Sequence, residues 1–411
     1  MRERLVQVGW MVLIGLAGAA PALALEVRPV HGLSPIALDR RGTENDAPDA
    51  AFDGRGNSVI VWVQVRGGRA QLMARRYDAA GAPRGAVFPI AESTTDVPVP
   101  VAVAMNAGGD FIVGWRLFDD TGPDRLFCQS FGRDGRRSSP VLALTGVQDR
   151  VLDGPALGIA DSGEFLAGWS VFAGALQIVV QRFTAEGQQL GSPVQLEGAG
   201  NVDGGPLLAV HPDGSFAVAW LALVEPGGGE APYFTVLASA FDAAGRTPTG
   251  PFRAVDRIDN LALAMLARSP DGYVVAWQGC TDQSPAVCEI KVRLLAPDAR
   301  PRGEELPIDF GDDHLHGLAG VAADAAGDFA VAAESCTVTP LACQAKVVFF
   351  DPSSTPRSIW TPPAANRQES VTVAAGRDSF MAVFLALGCA DAGCRRPLLP
   401  GLWAARFAVS P

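Results

Sequence analysis

An acidic residue comes before each of seven apolar segments in this 411-residue chain, at a near-constant interval. These residues are Asp46, Asp96, Asp153, Asp203, Asp259, Asp313 and Glu369. If the segments surround one axis, the carboxylates would gather at one mouth of a central channel. Ca²⁺ takes about six to eight oxygen ligands, so a ring of carboxylates is a candidate calcium site. We therefore take these residues as the candidate ligand-binding residues.

The same residues have a simpler interpretation, in which each one caps the turn that leads into its own strand. Asp does this commonly, by accepting hydrogen bonds from nearby backbone N–H groups. We favour this interpretation over a metal site. We accordingly expect no cofactor, with Ca²⁺ as the candidate to be tested.

The densest group of metal-ligand residue types is Asp312, Asp313, His314 and His316. Side chains two positions apart on a strand share a face, so the two histidines could bind a metal together. We favour a solvated loop, because short clusters of this kind have many structural explanations. The sequence contains no HExxH motif, no glycine-rich phosphate loop and no Ser-His-Asp arrangement. We therefore assign no catalytic residue.

The elements that would position these residues are set by a tryptophan repeat. The tryptophans recur at a near-constant interval, at Trp62, Trp115, Trp169, Trp220 and Trp277, and the same register continues at Ala333 and Phe384. Each of these positions closes an apolar run that follows a tight turn. A period of this length indicates one supersecondary unit repeated seven times.

Each unit contains four short apolar segments separated by turns rich in Gly and Asp, as β-hairpins require. The second segment is apolar on both faces, which is typical of sheets packed between neighbouring sheets. The last unit lacks a fourth segment, and residues 33–38 resemble the fourth segments 139–144 and 192–196. The sequence therefore predicts an all-β, seven-bladed β-propeller of four-stranded antiparallel blades. The N-terminal strand would complete the last blade, which removes two sheet edges.

The shared pattern resembles a known class of repeat. It reads Pro-x-Val/Leu-Ala, an Asp-Gly turn, Phe-x-Val-x-Trp and then Phe-Asp-x-x-Gly, and it extends over residues 45–407. It is similar to the propeller-type repeats of roughly 50 residues found in bacterial secreted proteins. That resemblance implies a propeller fold and an extracellular, sometimes calcium-associated role, and it implies no particular activity. The sixth and seventh units depart from the pattern by losing the tryptophan.

The N-terminus is typical of a targeting segment. Arg2 and Arg4 precede the mostly apolar residues 6–20, and residues 22–24 form a small-x-small cleavage site. A membrane anchor is disfavoured because the apolar stretch is short and interrupted. We therefore expect residues 1–24 to be a cleaved signal peptide and residues 25–411 to be one exported domain, periplasmic or secreted.

The formal net charge of −11 disfavours nucleic acid and anionic membrane surfaces as partners, because both attract basic patches. We expect no membrane insertion and a monomer.

Six of the seven cysteines form close pairs that flank the loop between the second and third strands of the last three units. The pairs are Cys280 with Cys288, Cys336 with Cys343, and Cys389 with Cys394. In an exported chain this recurrence predicts three hairpin disulfides. A zinc site is disfavoured, because the pairs lie on separate units and lack the usual spacing. The seventh, Cys128, is interpreted as a buried free thiol.

The loops that follow the tryptophans vary most between units, as in residues 118–124, 224–230 and 279–288. Variable loops on a rigid scaffold commonly carry binding functions, although tolerated insertions explain them equally well. We predict a non-enzymatic binding or scaffold module that docks an extracellular or periplasmic protein or glycan on its loop-rich face. One alternative is a propeller hydrolase or lyase acting on an extracellular polysaccharide. Another is a calcium-stabilised adhesion protein.

Overall fold

The computed structural model describes residues 26–29, 34–38, 43–93, 98–117, 124–146, 151–172, 176–196, 201–202, 205–246, 251–260, 263–280, 288–312, 314–338, 341–362, 368–387 and 401–410. Within these ranges the chain forms thirty β-strands and no helix. The strands lie in seven antiparallel sheets. Their innermost strands contact one another in a closed circle, so the fold is the predicted seven-bladed β-propeller.

The strands follow one another blade by blade. The two N-terminal strands are β1 (Glu26–Pro29) and β2 (Ser34–Leu38). The next blades are blade 1 (β3 Thr43–Phe52, β4 Ser58–Arg66, β5 Arg69–Tyr77, β6 Phe88–Ser93), blade 2 (β7 Pro98–Met105, β8 Phe111–Leu117, β9 Arg125–Phe131, β10 Leu142–Ala143) and blade 3 (β11 Val151–Ile159, β12 Phe165–Phe172, β13 Leu176–Phe183, β14 Gln189–Leu196). The remaining blades are blade 4 (β15 Asn201–Val202, β16 Leu207–Val210, β17 Phe216–Val224, β18 Tyr233–Phe241, β19 Phe252–Ile258), blade 5 (β20 Leu263–Ser269, β21 Gly272–Cys280, β22 Cys288–Leu295, β23 Pro301–Pro307), blade 6 (β24 Leu315–Ala323, β25 Phe329–Val338, β26 Leu341–Phe350, β27 Pro356–Trp360) and blade 7 (β28 Gln368–Ala375, β29 Ser379–Ala386, β30 Gly401–Ser410). In blade 4, β15 and β16 together take the innermost position, because both pair with β17.

The second strand of each blade is the core of the fold. In β8 the first five residues, from Phe111 to Trp115, are all buried, as expected for a strand covered on both faces. Trp62 is 1% exposed and packs against blade 7 residues that include Val383. The repeated tryptophans are therefore core residues that join each blade to the blade before it.

The N-terminal strands close the ring. Both β1 and β2 pair with β30 of blade 7, with Leu38 opposite Gly401 and Glu26 opposite Ser410. This confirms the prediction that the N-terminal strand completes the last blade. The predicted signal peptide, residues 1–24, lies outside the described residues. No helix in the described ranges has the length and apolar character needed to cross a bilayer.

The propeller has two distinct faces. The loop face is the one where the innermost strands begin, and it carries the connections between second and third strands. The opposite turn face carries the hairpin turns that join first to second and third to fourth strands. On the turn face the hairpins are linked blade to blade, since Gly54 N donates to Ala107 O, Ala107 N to Asp161 Oδ1, and Asp161 N to Pro212 O. These bonds fix the angles between neighbouring blades.

Two of the three predicted disulfides lie within the described residues. Cys280–Cys288 joins β21 to β22, and Cys336–Cys343 joins β25 to β26, each at the loop face. The third pair, Cys389 and Cys394, falls outside the described residues. Cys128 is a buried free thiol, as predicted, and burial raises its pKa to about 12.

Candidate functional site

Two residues of the predicted acidic series meet where blades 7 and 1 adjoin on the loop face. Asp46 and Glu369 take equivalent positions, each opposite the residue that follows the tryptophan position. Asp46 Oδ1 accepts hydrogen bonds from Ala47 N (2.7 Å) and from Ser370 Oγ (2.9 Å). Glu334 of blade 6 lies close by and accepts a bond from Ser370 N (2.6 Å). Its pKa is raised by burial and by the charges of Glu369 and Asp46.

Asp153 is the equivalent residue of blade 3, opposite Ser170. Its Oδ1 accepts from Gly154 N (2.7 Å) and its Oδ2 accepts from Gly205 N of blade 4 (2.9 Å). Both carboxylate oxygens are thus engaged by backbone amides. This geometry supports the capping interpretation, extended in this case to a link between two blades.

Of the remaining members of the series, the structure describes Asp259, which lies apart from this arrangement. In blade 5 the residue opposite the one that follows the tryptophan is Leu263, and Asp259 lies earlier in the chain. The exposed carboxylate of Asp259 pairs with Arg257. The other three, Asp96, Asp203 and Asp313, lie outside the described residues. Within the described ranges, no group of three or more His, Cys, Asp or Glu side chains is arranged to bind a metal ion.

The histidine cluster is organised around one carboxylate, that of Asp312 on the loop face of blade 6. His316 Nε2 lies 2.9 Å from Asp312 Oδ1, and His314 Nδ1 lies 3.2 Å from Asp312 Oδ2. Ser335 Oγ donates to Asp312 Oδ2 (3.2 Å) and lies 3.0 Å from His314 Nδ1. The ammonium of Lys346 binds the same carboxylate and also donates to a backbone carbonyl.

Lys346 balances the negative charge of Asp312. Burial opposes ionisation of Asp312, but hydrogen bonds from Lys346 and the His314 backbone outweigh it and lower the pKa of Asp312 to about 2. Burial lowers the pKa of His316, although Asp312 opposes that change. Near neutral pH the cluster therefore contains an Asp312 carboxylate and a neutral His316. A cation would have to compete with the ammonium for the same oxygen.

The cluster is not a nucleophilic triad. A serine nucleophile needs one imidazole nitrogen while the carboxylate orients the other. Here Ser335 and Asp312 both approach the same nitrogen, Nδ1 of His314. The hydroxyl, the imidazole and the carboxylate instead form a hydrogen-bonded network that fixes the start of β24.

The repeat explains why a lysine is buried here. Lys346 lies directly opposite Ala333, the residue that replaces the repeated tryptophan in blade 6. In blade 5 the same cross-strand position is Lys291, opposite Trp277, and its side chain is 34% exposed. With alanine in place of the indole, the Lys346 side chain is only 9% exposed and reaches Asp312.

A further carboxylate lies inside the central channel, a cavity of about 500 Å³ lined mainly by small apolar residues of the innermost strands. Asp49 on β3 accepts hydrogen bonds from Ala50 N and from Val103 N of blade 2, both 2.8 Å. Thr372 Oγ1 of blade 7 lies 3.5 Å away. Burial raises the pKa of Asp49 to about 6, against the lowering effect of these bonds. Asp49 therefore titrates close to neutral pH.

The turn-face mouth of the channel carries basic side chains. Arg268 lies there at the end of β20, next to Arg377. Its side chain reaches water in the channel mouth but is otherwise surrounded by protein, and this burial lowers its pKa. The channel thus has an acidic group in its wall and a basic group at one end.

No protein-family model matches the chain, and no curated protein matches it. Solved structures match its fold. A protein of unknown function from Dyadobacter fermentans is 9% identical with a TM-score of 0.52, over 93% of this chain and 99% of that chain. The polysaccharide lyase Uly1 is 10% identical with a TM-score of 0.51, over 89% and 90%. The β-propeller domain of the Trilobed protease from Pyrococcus furiosus is 8% identical with a TM-score of 0.49, over 84% and 92%. The likeness is one of fold.

Proposed function

We propose that this protein is an exported, non-enzymatic binding propeller that docks a protein partner on the loop face of blades 5 and 6. The observation that carries the proposal is a pair of exposed leucines at the channel entrance. Leu263 and Leu315 begin the adjacent strands β20 and β24, and they are 42% and 41% exposed. Exposed apolar side chains at the centre of a face are typical contacts for a protein partner.

Cross-links and hydrogen bonds restrain the strands that carry the two leucines. Each of the two blades carries a disulfide at its loop face, and Leu315 lies directly opposite Cys336 in the sheet. The network centred on Asp312 adjoins the start of the same strand. A surface that is already ordered loses little conformational entropy on binding, which favours affinity.

The proposal is tested by cross-linking in the native exported fraction, comparing the wild type with a Leu263→Ser/Leu315→Ser double variant. Ile359→Ser is the matched control, because Ile359 is also exposed (45%) but lies on the outer strand of blade 6. We expect a cross-linked protein that the control retains and the double variant loses. Equal yields in all three proteins would refute docking at this face. If the wild type and the control bind polysaccharide and the double variant does not, the partner is a glycan and not a protein.

One observation favours a second candidate, hydrolysis or elimination on an extracellular polysaccharide. The carboxyl group of Asp49 lies in the channel with a pKa of about 6, which suits a general acid or base. The polysaccharide lyase Uly1 shares the fold, although at 10% identity this adds nothing on substrate. The candidate requires that polysaccharides incubated with the wild type release new chain ends and that Asp49→Asn abolishes the release. No release from a broad polysaccharide panel would remove it.

A further inference from the structure

The turn face carries a feature that the loop-face function does not use, a cavity of about 490 Å³ between blades 1 and 2. Four arginines line it, Arg55, Arg76, Arg84 and Arg133, against two aspartates. We call this cavity the arginine pocket. Its excess of positive charge stands out in a chain whose formal net charge is −11.

The two aspartates of the pocket are bound by residues of their own turns. Asp53 accepts from Arg55 N and Asn57 N, both 2.8 Å, and from Asn57 Nδ2 (2.6 Å). Asp134 accepts from Arg136 N (2.9 Å), and its other oxygen lies 3.5 Å from Arg136 Nε. Within the described residues, none of the four pocket arginines forms an ion pair with a carboxylate.

The repeat provides an internal comparison for Arg76, the arginine at the back of the pocket. Arg406 takes the same register in blade 7 and reaches into blade 1, where it donates to Ala79 O (3.1 Å) and to Ser58 Oγ. Arg76 makes the equivalent backbone contact one blade further on, from Nη1 to Arg133 O (2.7 Å). Its buried Nε has no acceptor in the part of the chain that the structure describes.

Arg76 also lacks the acceptor that Nη2 of Arg406 has, and this difference has a sequence cause. Ser58 begins the second strand of blade 1, and the equivalent residue of blade 2 is Phe111, which has no hydroxyl group. In blade 3 the equivalent arginine, Arg182, is instead paired with Glu164 at 3.0 Å. Of the three equivalent arginines, Arg76 is thus the one that has no side-chain acceptor within the described residues. A guanidinium in this state is a ready partner for an anion.

The surroundings of Arg76 further favour an anionic partner. Burial, and after it the nearby charge of Arg84, lower the pKa of Arg76, and together they outweigh the opposing charge of Asp134. Arg84 and Arg133 are exposed and approach from the turns of two different blades. An anion in the pocket would therefore meet guanidinium groups from more than one direction. That arrangement suits a group with several oxygens better than a single carboxylate.

We propose that the arginine pocket binds a tetrahedral oxyanion, either free phosphate or sulfate or the same group carried as an ester on a glycan. Arg76 would form the floor of the site, while Arg84 and Arg133 would close over the anion from blades 1 and 2. The site lies on the opposite face from the leucines, so it does not depend on the proposed docking function.

The test is titration calorimetry at low ionic strength with inorganic phosphate, inorganic sulfate, a sulfated oligosaccharide and its desulfated form. The variant is Arg84→Gln/Arg133→Gln, because both side chains are exposed and their loss leaves the contact of Arg76 between blades intact. Arg246→Gln is the matched control, an exposed arginine of the corresponding turn in blade 4 that pairs with Asp242.

We expect binding that is at least tenfold weaker in the double variant and unchanged in the control. Binding of the inorganic anions would identify a free-anion site, and binding of the sulfated oligosaccharide alone would identify a glycan-borne group. The proposal is overturned if none of the four probes binds the wild type. It is equally overturned if the double variant binds as well as the wild type, or if the control weakens by the same factor.

Discussion

Replacing Asp49 by asparagine should change how the stability of the protein depends on pH. The pKa of Asp49 is raised from 3.8 to about 6 in the folded state. Because the folded state then binds the proton more tightly than the unfolded chain does, the contribution of Asp49 to stability falls as pH rises between these values and is constant above them. The gap of roughly two pH units corresponds to about 3 kcal/mol.

The assay is urea unfolding of wild type and Asp49→Asn from about pH 4 to about pH 7, since only the wild type can titrate at this position. The free energy of unfolding of the wild type, relative to the variant, should fall by about 2 kcal/mol across this interval, because the unfolded chain is already more than half ionised at pH 4. Thr372→Val is the control, because it keeps the carboxyl group. It removes a hydroxyl that lowers the pKa of Asp49, so its pH dependence should be at least as large as that of the wild type. If the free energy of unfolding depends on pH in the same way for wild type and Asp49→Asn, burial does not raise the pKa of this carboxyl group.

Three further predictions concern the loop face. Lys346→Met should destabilise the protein by about 2–3 kcal/mol, because the half-buried Asp312 loses its ammonium partner. In urea unfolding, a smaller loss of stability at about pH 2 than at pH 7 would confirm this reason. Replacing Cys280 and Cys288 by serine should lower the free energy of unfolding by about 2 kcal/mol, as measured against the oxidised wild type, whereas no loss would show that the hairpin is ordered without its cross-link. Adding Ca²⁺ after EDTA should leave the thermal midpoint unchanged, because backbone amides already occupy Asp153, and a reversible rise that Asp153→Asn abolishes would restore the calcium hypothesis.

The architecture could be predicted because its signals are local and repeated. The tryptophan at a near-constant interval marks the second strand of the first five blades, and a turn precedes it. A glycine with positive φ completes that turn, as at Gly109 (95°) and Gly214 (87°). The closing strand is recognisable because residues 33–38 repeat the pattern of the fourth strands.

The candidate site could be predicted only in part, because β-bulges change the spacing between an acidic residue and its strand. The offset from Asp46 to Trp62 equals the offset from Asp153 to Trp169, but Asp259 lies further from its own tryptophan. A bulge separates Asp46 from Asp49, so a residue slightly later in the chain faces the channel. Spacing alone does not show which of the two carboxylates will be buried.

The partner of Asp312 escapes sequence reasoning for a different reason. Lys346 lies on another strand and well further along the chain, so no local pattern connects the two. A signal is nevertheless present. The chain contains only two lysines, Lys291 and Lys346, and they occupy the same position in successive repeats. One of them faces the first position at which the tryptophan is lost, where a buried cation requires a nearby anion.

The closure of the ring by the N-terminal strand has a consequence for the order of folding. The first six blades are built from strands that follow one another directly, so their hairpins can form as soon as the chain is present. Blade 7 requires Leu38, near one end of the chain, to meet Gly401, near the other. Contacts of such long range are slow to form, because a large loss of chain entropy precedes any gain from the contact. Sealing of the circle should therefore be the last event in folding, and until then the outer edge of β30 is open to pairing with another chain.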